Sequence, residues 1–417
     1  MSKQLIVIGG GAAGFFCAVN AARLNPSLKV TIIEKSNKLL SKVKVSGGGR
    51  CNVTHACFDI MEMSKRYPRG QHFVKKAFHQ FFTTDTIKWF EERGVTLKTE
   101  ADGRMFPITD SSQTIIECLL KEANKFGVDI LMNREVKKIE GQSSTFNLQL
   151  STGEYLSADF VCVASGGYPK SSMFDWLKEL GHSIEEPVPS LFTFNLPKHP
   201  ITKLMGVSVE RAKVKILPIA IGTKLEEVGP LLITHWGLSG PAVLRLSAWG
   251  ARELKIKNYE LRININWLPD YNEESLRIRF QELRDTNASQ KIINKNSFGL
   301  PSRLWEFLAE QSGIKNDPIA IGWRWADLPS TEQNKFIKNL CNYECEVKGK
   351  TTFKEEFVTA GGIKLTEVDA NTMMSKKVPN LFFAGEVLDV DGITGGFNFQ
   401  HAWTSGFVSA KSLIVLI

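Results

Sequence analysis

Leu5-Ile6-Val7-Ile8-Gly9-Gly10-Gly11-Ala12-Ala13-Gly14 is the stretch that decides the fold of this chain. Four β-favouring residues run into Gly9-x-Gly11-x-x-Gly14, and a helical apolar pattern follows through Phe15, Cys17, Ala18, Ala21, Ala22 and Leu24. A second apolar run, Val30 to Ile33, ends in Glu34, twenty residues after Gly14. Strand, tight turn, helix, strand and acid in that order make a dinucleotide-binding fingerprint in its required context. Gly9 takes a turn conformation that a Cβ would hinder, Gly11 lets the backbone approach a pyrophosphate, and Gly14 lets the helix pack on the strand. Free N–H groups at Gly11, Ala12 and Ala13 and the positive end of the helix dipole then face the phosphates. Glu34 is placed to accept hydrogen bonds from an adenosine ribose, with Lys35 beside it.

At 417 residues the chain is long enough for two or three domains. Hydrophobic residues make up 43% and charged residues 23%, the balance of a globular protein in water. No apolar run reaches the roughly 18 residues that span a bilayer, and Leu5–Ile8 already belongs to the first strand, so neither an anchor nor a leader is expected and a cytoplasmic location is. The net charge of +8 suits an anionic cofactor or an acidic substrate. The charges are scattered, without a basic block interleaved with aromatics, so a nucleic-acid partner is not expected. Seven cysteines, an odd number, argue against a disulfide framework, and Cys341-x-x-x-Cys345 lacks zinc-finger spacing, so no metal is expected.

Further along, Ser46-Gly47-Gly48-Gly49-Arg50-Cys51-Asn52 forms a glycine loop just after the ribose-binding strand end, where an extended cofactor would continue. Residues 74–93 read as helical with a fresh cap at Thr84 or Asp85, and Gln113 to Phe126 as a helix capped by Ser111 or Ser112 and stopped by Gly127. Phe160–Val163 is a buried strand running into Ala164-Ser165-Gly166-Gly167, a second turn able to press on the cofactor. Strand-like runs dominate from 191 to 268, including Val207–Ile221, and are interrupted by Thr234-His235-Trp236-Gly237-Leu238-Ser239-Gly240-Pro241. From 269 to 341 the pattern is helical. The expected organisation is a cofactor domain from 1–190 and 359–417, a β-rich inserted domain from 191–268 and 342–358, and a helical insertion at 269–341.

A strand, Leu381–Phe383, ends at Gly385-Glu386, and Asp391-Gly392-Ile393-Thr394-Gly395-Gly396-Phe397-Asn398 leads into a last helix. A dinucleotide turn near one terminus and a Gly-acid turn near the other suit one long ligand, and FAD has that length. The adenosine half lies at Gly9–Gly14 and Glu34, with Lys35 and Val136 completing the nucleotide set. Gly385 and Glu386 serve the ribityl chain. The isoalloxazine rests near Gly392, Gly395, Gly396, Phe397, Asn398 and the Ser46–Asn52 loop. The positive start of the last helix would stabilise negative charge on the reduced ring.

Ser46–Asn52, Thr234–Pro241 and Gly385-Glu-Val-Leu-Asp-Val-Asp-Gly-Ile-Thr-Gly-Gly-Phe-Asn-Phe-Gln400 together resemble the HI0933-like flavoproteins, also described as BaiN-like or YhiN-like NAD(P)/FAD-dependent oxidoreductases. The resemblance spans essentially the whole chain. It implies an α/β architecture: a Rossmann-like FAD domain of the glutathione-reductase type, with an inserted β-rich domain that itself carries a small helical domain. It implies FAD held by the pieces matching Gly9–Gly14, Glu34, Gly47–Arg50, Gly385-Glu386 and Asp391–Asn398. It fixes no substrate, although some relatives are linked to reducing enone double bonds in steroid-like molecules.

The expected activity is hydride transfer at flavin N5 to or from a small organic molecule, with NAD(P)H as a transient donor. His401, Tyr168, His235 and Arg50 are candidates to move the proton. For His401 and His235 a packing role is the stronger reading. One alternative is a disulfide reductase using Cys51 and Cys57, but five residues separate these two cysteines and a second dinucleotide fingerprint is missing. Another is a non-catalytic FAD-binding protein associated with nucleic acid.

Overall fold

The computed structural model describes residues 2–141, 145–217, 225–294, 296–314, 323–351 and 358–417. The chain forms two compact units, Met1–Ser190 with Phe353–Ile417, and Leu191–Thr352.

The first unit is built on a five-stranded parallel sheet. Its strands are β1 (Gln4–Ile8), β2 (Lys29–Ile33), β3 (Asp129–Leu131), β4 (Phe160–Val163) and β5 (Leu381–Phe383), in the order β5-β4-β1-β2-β3. In register, Leu5 faces both Phe160 and Val30, and Ile8 faces both Val163 and Ile33. Central strands of a covered parallel sheet are apolar on both faces, which is why β1 and β4 read as unbroken hydrophobic runs. Helix α1 (Ala12–Leu24) is buried over most of its length. Its one buried polar residue, Asn20, is satisfied: its amide donates to Phe16 O (2.7 Å) and accepts from Trp89 Nε1 (3.0 Å).

The last helix, α2 (Phe397–Val415), packs directly on α1. At the crossing, a Cβ on Gly406 would stand 2.6 Å from Ala13 O and 3.2 Å from Cys17 N. Phe16 then meets Trp403 at 5.2 Å and Trp89 at 4.6 Å between ring centres. Smaller sheets flank this core: Val136–Glu140, Phe146–Leu150 and Tyr155–Ala158; Thr54–His55, Leu97–Thr99 and Arg104–Pro107; and Ile184–Ser190 with Val358–Ile363.

Local chemistry moved two boundaries. The helical pattern at 74–93 is two helices, Gln71–Phe78 and Thr83–Glu91. The second starts one residue before the expected caps, because the Asp85 carboxylate accepts the backbone N–H of Phe82 (2.7 Å) from inside the first turn. The glycine loop is preceded by a helical turn from Ser41 and breaks at Ser46 (ψ 148°), Gly47 (φ 58°) and Gly48 (φ 69°).

The second unit carries a seven-stranded antiparallel sheet. Its order is Tyr343–Lys348, Glu260–Asn266, Ser208–Ile216, Glu226–Ile233, Gly237–Ser239, Thr193–Asn195 and Lys350–Thr351. Of the expected strand Val207–Ile221, the part after Leu217 lies outside the described residues. The helices Glu273–Thr286, Ser302–Gln311 and Ser330–Cys341 share a single hydrophobic core with the sheet, through Ile265, Trp267, Phe280, Trp305, Phe336 and Leu340. Among the described residues no helix is long and apolar enough to cross a membrane.

The crossing at Gly406 gives the first prediction. Gly406→Ala places a methyl against a backbone carbonyl that cannot retreat, so urea unfolding should show a loss of about 1–3 kcal/mol. An unchanged midpoint would contradict the close approach of the two helices.

Candidate functional site

At the N-terminal turn the three glycines have three different physical reasons. Gly9 lies at φ +115°, and a Cβ there would be 2.3 Å from Ala164 O; one on Gly14 would be 2.0 Å from Gly9 O. Gly11 has no neighbour within 4 Å of where its Cβ would stand, so its smallness serves nothing inside the protein. That open space, in front of the first N–H groups of α1, is the place for a pyrophosphate. The contact of Gly9 with Ala164 also sets the Ala164-Ser165-Gly166 turn, with Gly166 at φ +75°, against the first turn.

Glu34 is anchored at the same place. Its carboxylate accepts from Gly10 N (2.8 Å), Ser36 N (2.9 Å) and Ser36 Oγ (2.8 Å). Arg134 N donates to Glu34 O (2.9 Å) and Asn133 N to Ser36 O (3.1 Å), which brings the start of the Val136 strand beside the ribose acid. Lys35 Nζ lies 5.4 Å over the ring of Tyr168, and the Phe174 ring stands edge-on to it at 4.8 Å. Tyr168 therefore stands at the ribose end, and burial pushes its phenol up.

The Gly-acid turn meets the dinucleotide turn directly: Gly385 is at φ +75°, and a Cβ there would be 2.8 Å from Ala13 Cβ. Gly385 N donates to Ser405 Oγ (2.9 Å), and its carbonyl lies 3.3 Å from His401 Nε2. Glu386 accepts from Thr359 N (2.8 Å) on one oxygen and from Lys42 Nζ (2.5 Å) on the other. His401 is fully buried, and burial pushes it down to about 4, so it is neutral at pH 7. With Nε2 donating to Gly385 O, Nδ1 is a buried acceptor without a partner, and Thr359 Oγ1 is a second unpartnered buried atom next to Glu386. Unsatisfied buried polar atoms are costly. Two of them beside one turn fit a polyhydroxyl chain such as the ribityl of FAD.

Beyond it, the turn before α2 is fastened at several points. The Asn52 amide donates to Thr54 O (2.9 Å) and accepts from Gly396 N (3.0 Å). Asn398 holds Gly392 through both its N–H (2.8 Å) and its carbonyl (2.9 Å). Tyr67 donates to Phe397 O (2.6 Å), and His55 lies 4.8 Å from the Phe397 ring with Nδ1 3.1 Å from Gly395 O. Gly395 (φ +135°) and Gly396 (φ +92°) adopt conformations that favour glycine. Asp391 is 0% exposed and gives both oxygens to Arg69, while Ser190 Oγ donates to it (2.8 Å). Burial pushes the Asp391 carboxyl up, and Arg69 opposes that shift. Asp391 thus shapes the turn through Arg69 with both of its oxygens engaged inside the protein.

Arg50 is engaged by Glu100 (2.5 Å) and Asp110 (3.5 Å), with its guanidinium 4.0 Å over Phe106. Its loop neighbours Gly47, Gly48 and Gly49 all have positive φ, and Ser46 Oγ donates to Val43 O (3.0 Å). Cys51 is buried and pushed up to about 12; burial also raises the half-buried Cys57. Neither is a thiolate at neutral pH, which is what disulfide exchange requires. His235 belongs to the second unit, exposed at the tip of a two-residue hairpin closed by Thr234 and Gly237. Lys42, His55, Tyr67, Arg69, Thr359 and Ser405 were not legible as site residues: each reaches its turn from a distant or unmarked part of the chain.

Two predictions follow from these charges. His401 has a folded pKa below its unfolded value, so its contribution is complete above about pH 6.5 and is lost as pH falls toward 4, a cost approaching about 3 kcal/mol. His401→Gln should flatten the fall of the melting temperature across that window; a fall of unchanged steepness would mean that His401 takes no part. Arg69→Met leaves the Asp391 carboxylate buried without a cation, and should cost about 3–5 kcal/mol at pH 7. That deficit should shrink at acid pH and on adding Asp391→Asn, as read by chemical denaturation; equal losses in the single and double variants would contradict the pairing.

Residues 3–412 match the family described as HI0933-like protein Rossmann domain. A ribosomal RNA dihydrouridine synthase of Escherichia coli is 30% identical over 416 residues, covering 98% of this chain and 97% of that protein. A 3-dehydro-bile acid delta(4,6)-reductase of Clostridium scindens is 27% identical over 418 residues, 98% of each. In fold, the chain is like the 3-ketosteroid delta1-dehydrogenase of Sterolibacterium denitrificans, with a TM-score of 0.51, 12% identity and 100% of both chains covered. With a cradle that fits FAD and a match along nearly its full length, the chain belongs to the HI0933-like family and is an FAD-dependent oxidoreductase.

Proposed function

We propose that the enzyme reduces a carbon–carbon double bond conjugated to a carbonyl, with NAD(P)H as the source of reducing equivalents. The observation that carries this is a shared bond type. The named activities of the full-length relatives concern a uridine in one case and a 4,6-unsaturated bile acid in another. In both molecules the alkene is polarised by a neighbouring carbonyl, and reduction adds one hydride and one proton across it. Bound FAD supplies the two-electron chemistry.

The chain's own part is to bind and orient. Gly9–Gly14 and Glu34 hold the nucleotide half, and Gly385, Glu386, Thr359 and His401 line the middle. Tyr67, Arg69–Asp391, Asn52 and Asn398 fix the turn at Gly392–Asn398. The first N–H groups of α2 have no intrahelical acceptor, so this turn offers fixed positive dipoles where negative charge develops. A neutral His401 hydrogen-bonded to Gly385 O acts as a positioning group. With one dinucleotide fingerprint in the sequence, the nicotinamide donor binds transiently.

A second reading places the alkene in a uridine of ribosomal RNA. It is favoured by two relatives with that name, from Escherichia coli and Haemophilus influenzae, each 30% identical over at least 97% of its length. The deciding experiment is anaerobic: the yellow protein is mixed with NADH or NADPH, then given either a 3-oxo-4,6-diene steroid or unmodified ribosomal RNA, and the products are weighed by mass spectrometry. Bleaching of the flavin followed by a gain of two hydrogens in either substrate supports the proposal, and the substrate converted chooses the reading. A flavin that neither nucleotide bleaches, or a bleached flavin that leaves both substrates unchanged, overturns it.

A further inference from the structure

The second unit carries most of the net positive charge: residues 191–352 hold 23 Lys and Arg against 17 Asp and Glu, in a protein whose net total is +8. Within it, no acid occurs between Glu186 and Glu210, between Glu227 and Glu253, or between Glu346 and Glu355. These three stretches are far apart in sequence, and the sheet brings them to one place. Strand Thr193–Asn195 pairs with Gly237–Ser239 on one side, Phe194 facing Leu238, and with Lys350–Thr351 on the other, Phe194 facing Lys350. The flanking loops follow: Leu196 N donates to Trp236 O (2.8 Å), and Gly206 N donates to Ile233 O (2.9 Å).

The surface assembled this way is cationic and aromatic. Lys198 and Lys203 are exposed, and neither has a carboxylate partner among the described residues. His235 is exposed at the hairpin tip, edge-on to Trp236 at 4.2 Å, whose indole Nε1 donates to Thr193 Oγ1 (3.2 Å). Met205 is 55% exposed beside them. Unpaired lysines with adjoining rings are what a flexible phosphodiester chain needs: point charges for the backbone and flat faces for unstacked bases.

We propose that this end of the sheet is a docking surface for single-stranded RNA, contacted through Lys198, Lys203 and the His235-Trp236 tip. The proposal rests on the ribosomal RNA reading and gives that reading a place on the chain where the substrate's backbone is held.

The test is fluorescence anisotropy of a short unstructured RNA with the FAD-loaded protein at several salt concentrations. Lys198→Glu with Lys203→Glu changes two exposed residues and should weaken binding at least tenfold. It should also lower the slope of log affinity against log salt by about 1.4, from roughly 0.7 per phosphate contact on a single strand. His235→Ala should weaken binding and leave the slope alone. Should the charge reversals disturb folding by circular dichroism, Lys198→Gln with Lys203→Gln carries the same prediction at smaller size. Lys137→Glu with Lys138→Glu, on the first unit, should bind as the unaltered protein does. Unchanged affinity and slope in the 198/203 variants overturn the surface, as does an equal loss in the 137/138 control. Anionic phospholipid vesicles or an acidic polypeptide bound as tightly and with the same dependence on Lys198 and Lys203 would overturn the assignment to RNA. If the 198/203 variant binds RNA normally while the protein still makes dihydrouridine, the surface fails and the reading stands. If the surface binds RNA and no uridine is reduced, the reading fails alone.

Discussion

The first unit depends on a contact between two helices that are almost the whole chain apart. Gly406 of the last helix lies so close to Ala13 and Cys17 of the first that any side chain there would strike backbone. Gly385, in the turn after the strand Leu381–Phe383, lies against Ala13 with room for no more than a hydrogen. These two approaches join the N-terminal phosphate turn to the C-terminal acid turn. A ligand long enough to touch both is then held by parts of the chain that have no other reason to meet. The energetic demand is steric fit, which explains why glycine recurs at the crossing points and not along the helices generally.

With that frame set, the site is made mostly from backbone and from charges neutralised inside the protein. Asp391 is paired with Arg69, Glu386 with Lys42, and His401 is kept uncharged by burial. Cys51 is likewise held as a thiol. What remains to act on a bound ligand is the pair of unpartnered atoms His401 Nδ1 and Thr359 Oγ1 and the N–H dipoles at the starts of two helices, and the dipoles cost no reorganisation when charge appears. Such a site suits chemistry supplied by a cofactor better than chemistry supplied by a paired acid and base of the protein.

The parts of this arrangement carried by local rules were legible in the sequence. The glycine fingerprint, the acid at Glu34 and the apolar strands are written in consecutive residues, and the helix ending at Gly127 is written in its cap. The fastening of the last turn was not legible, because Tyr67 reaches Phe397 and Arg69 reaches Asp391 across more than 300 residues, and neither carries a motif. That Tyr168, one of the candidates to move the proton, lies beside Lys35 was not legible either, because no local pattern links the two positions. The start of the helix at Thr83 escaped because Asp85 caps from inside the helix, a role that its position among several polar residues does not distinguish.

The claim that both ends of the chain grip one cofactor is tested most directly by hydrogen exchange on the whole protein with and without FAD. The account predicts that FAD slows exchange together in the peptides covering residues 9–14, 34–36, 385–401 and 46–55. It predicts that the strands Ser208–Ile216 and Glu260–Asn266 exchange as before. Protection confined to one terminus, or none at either, would contradict it.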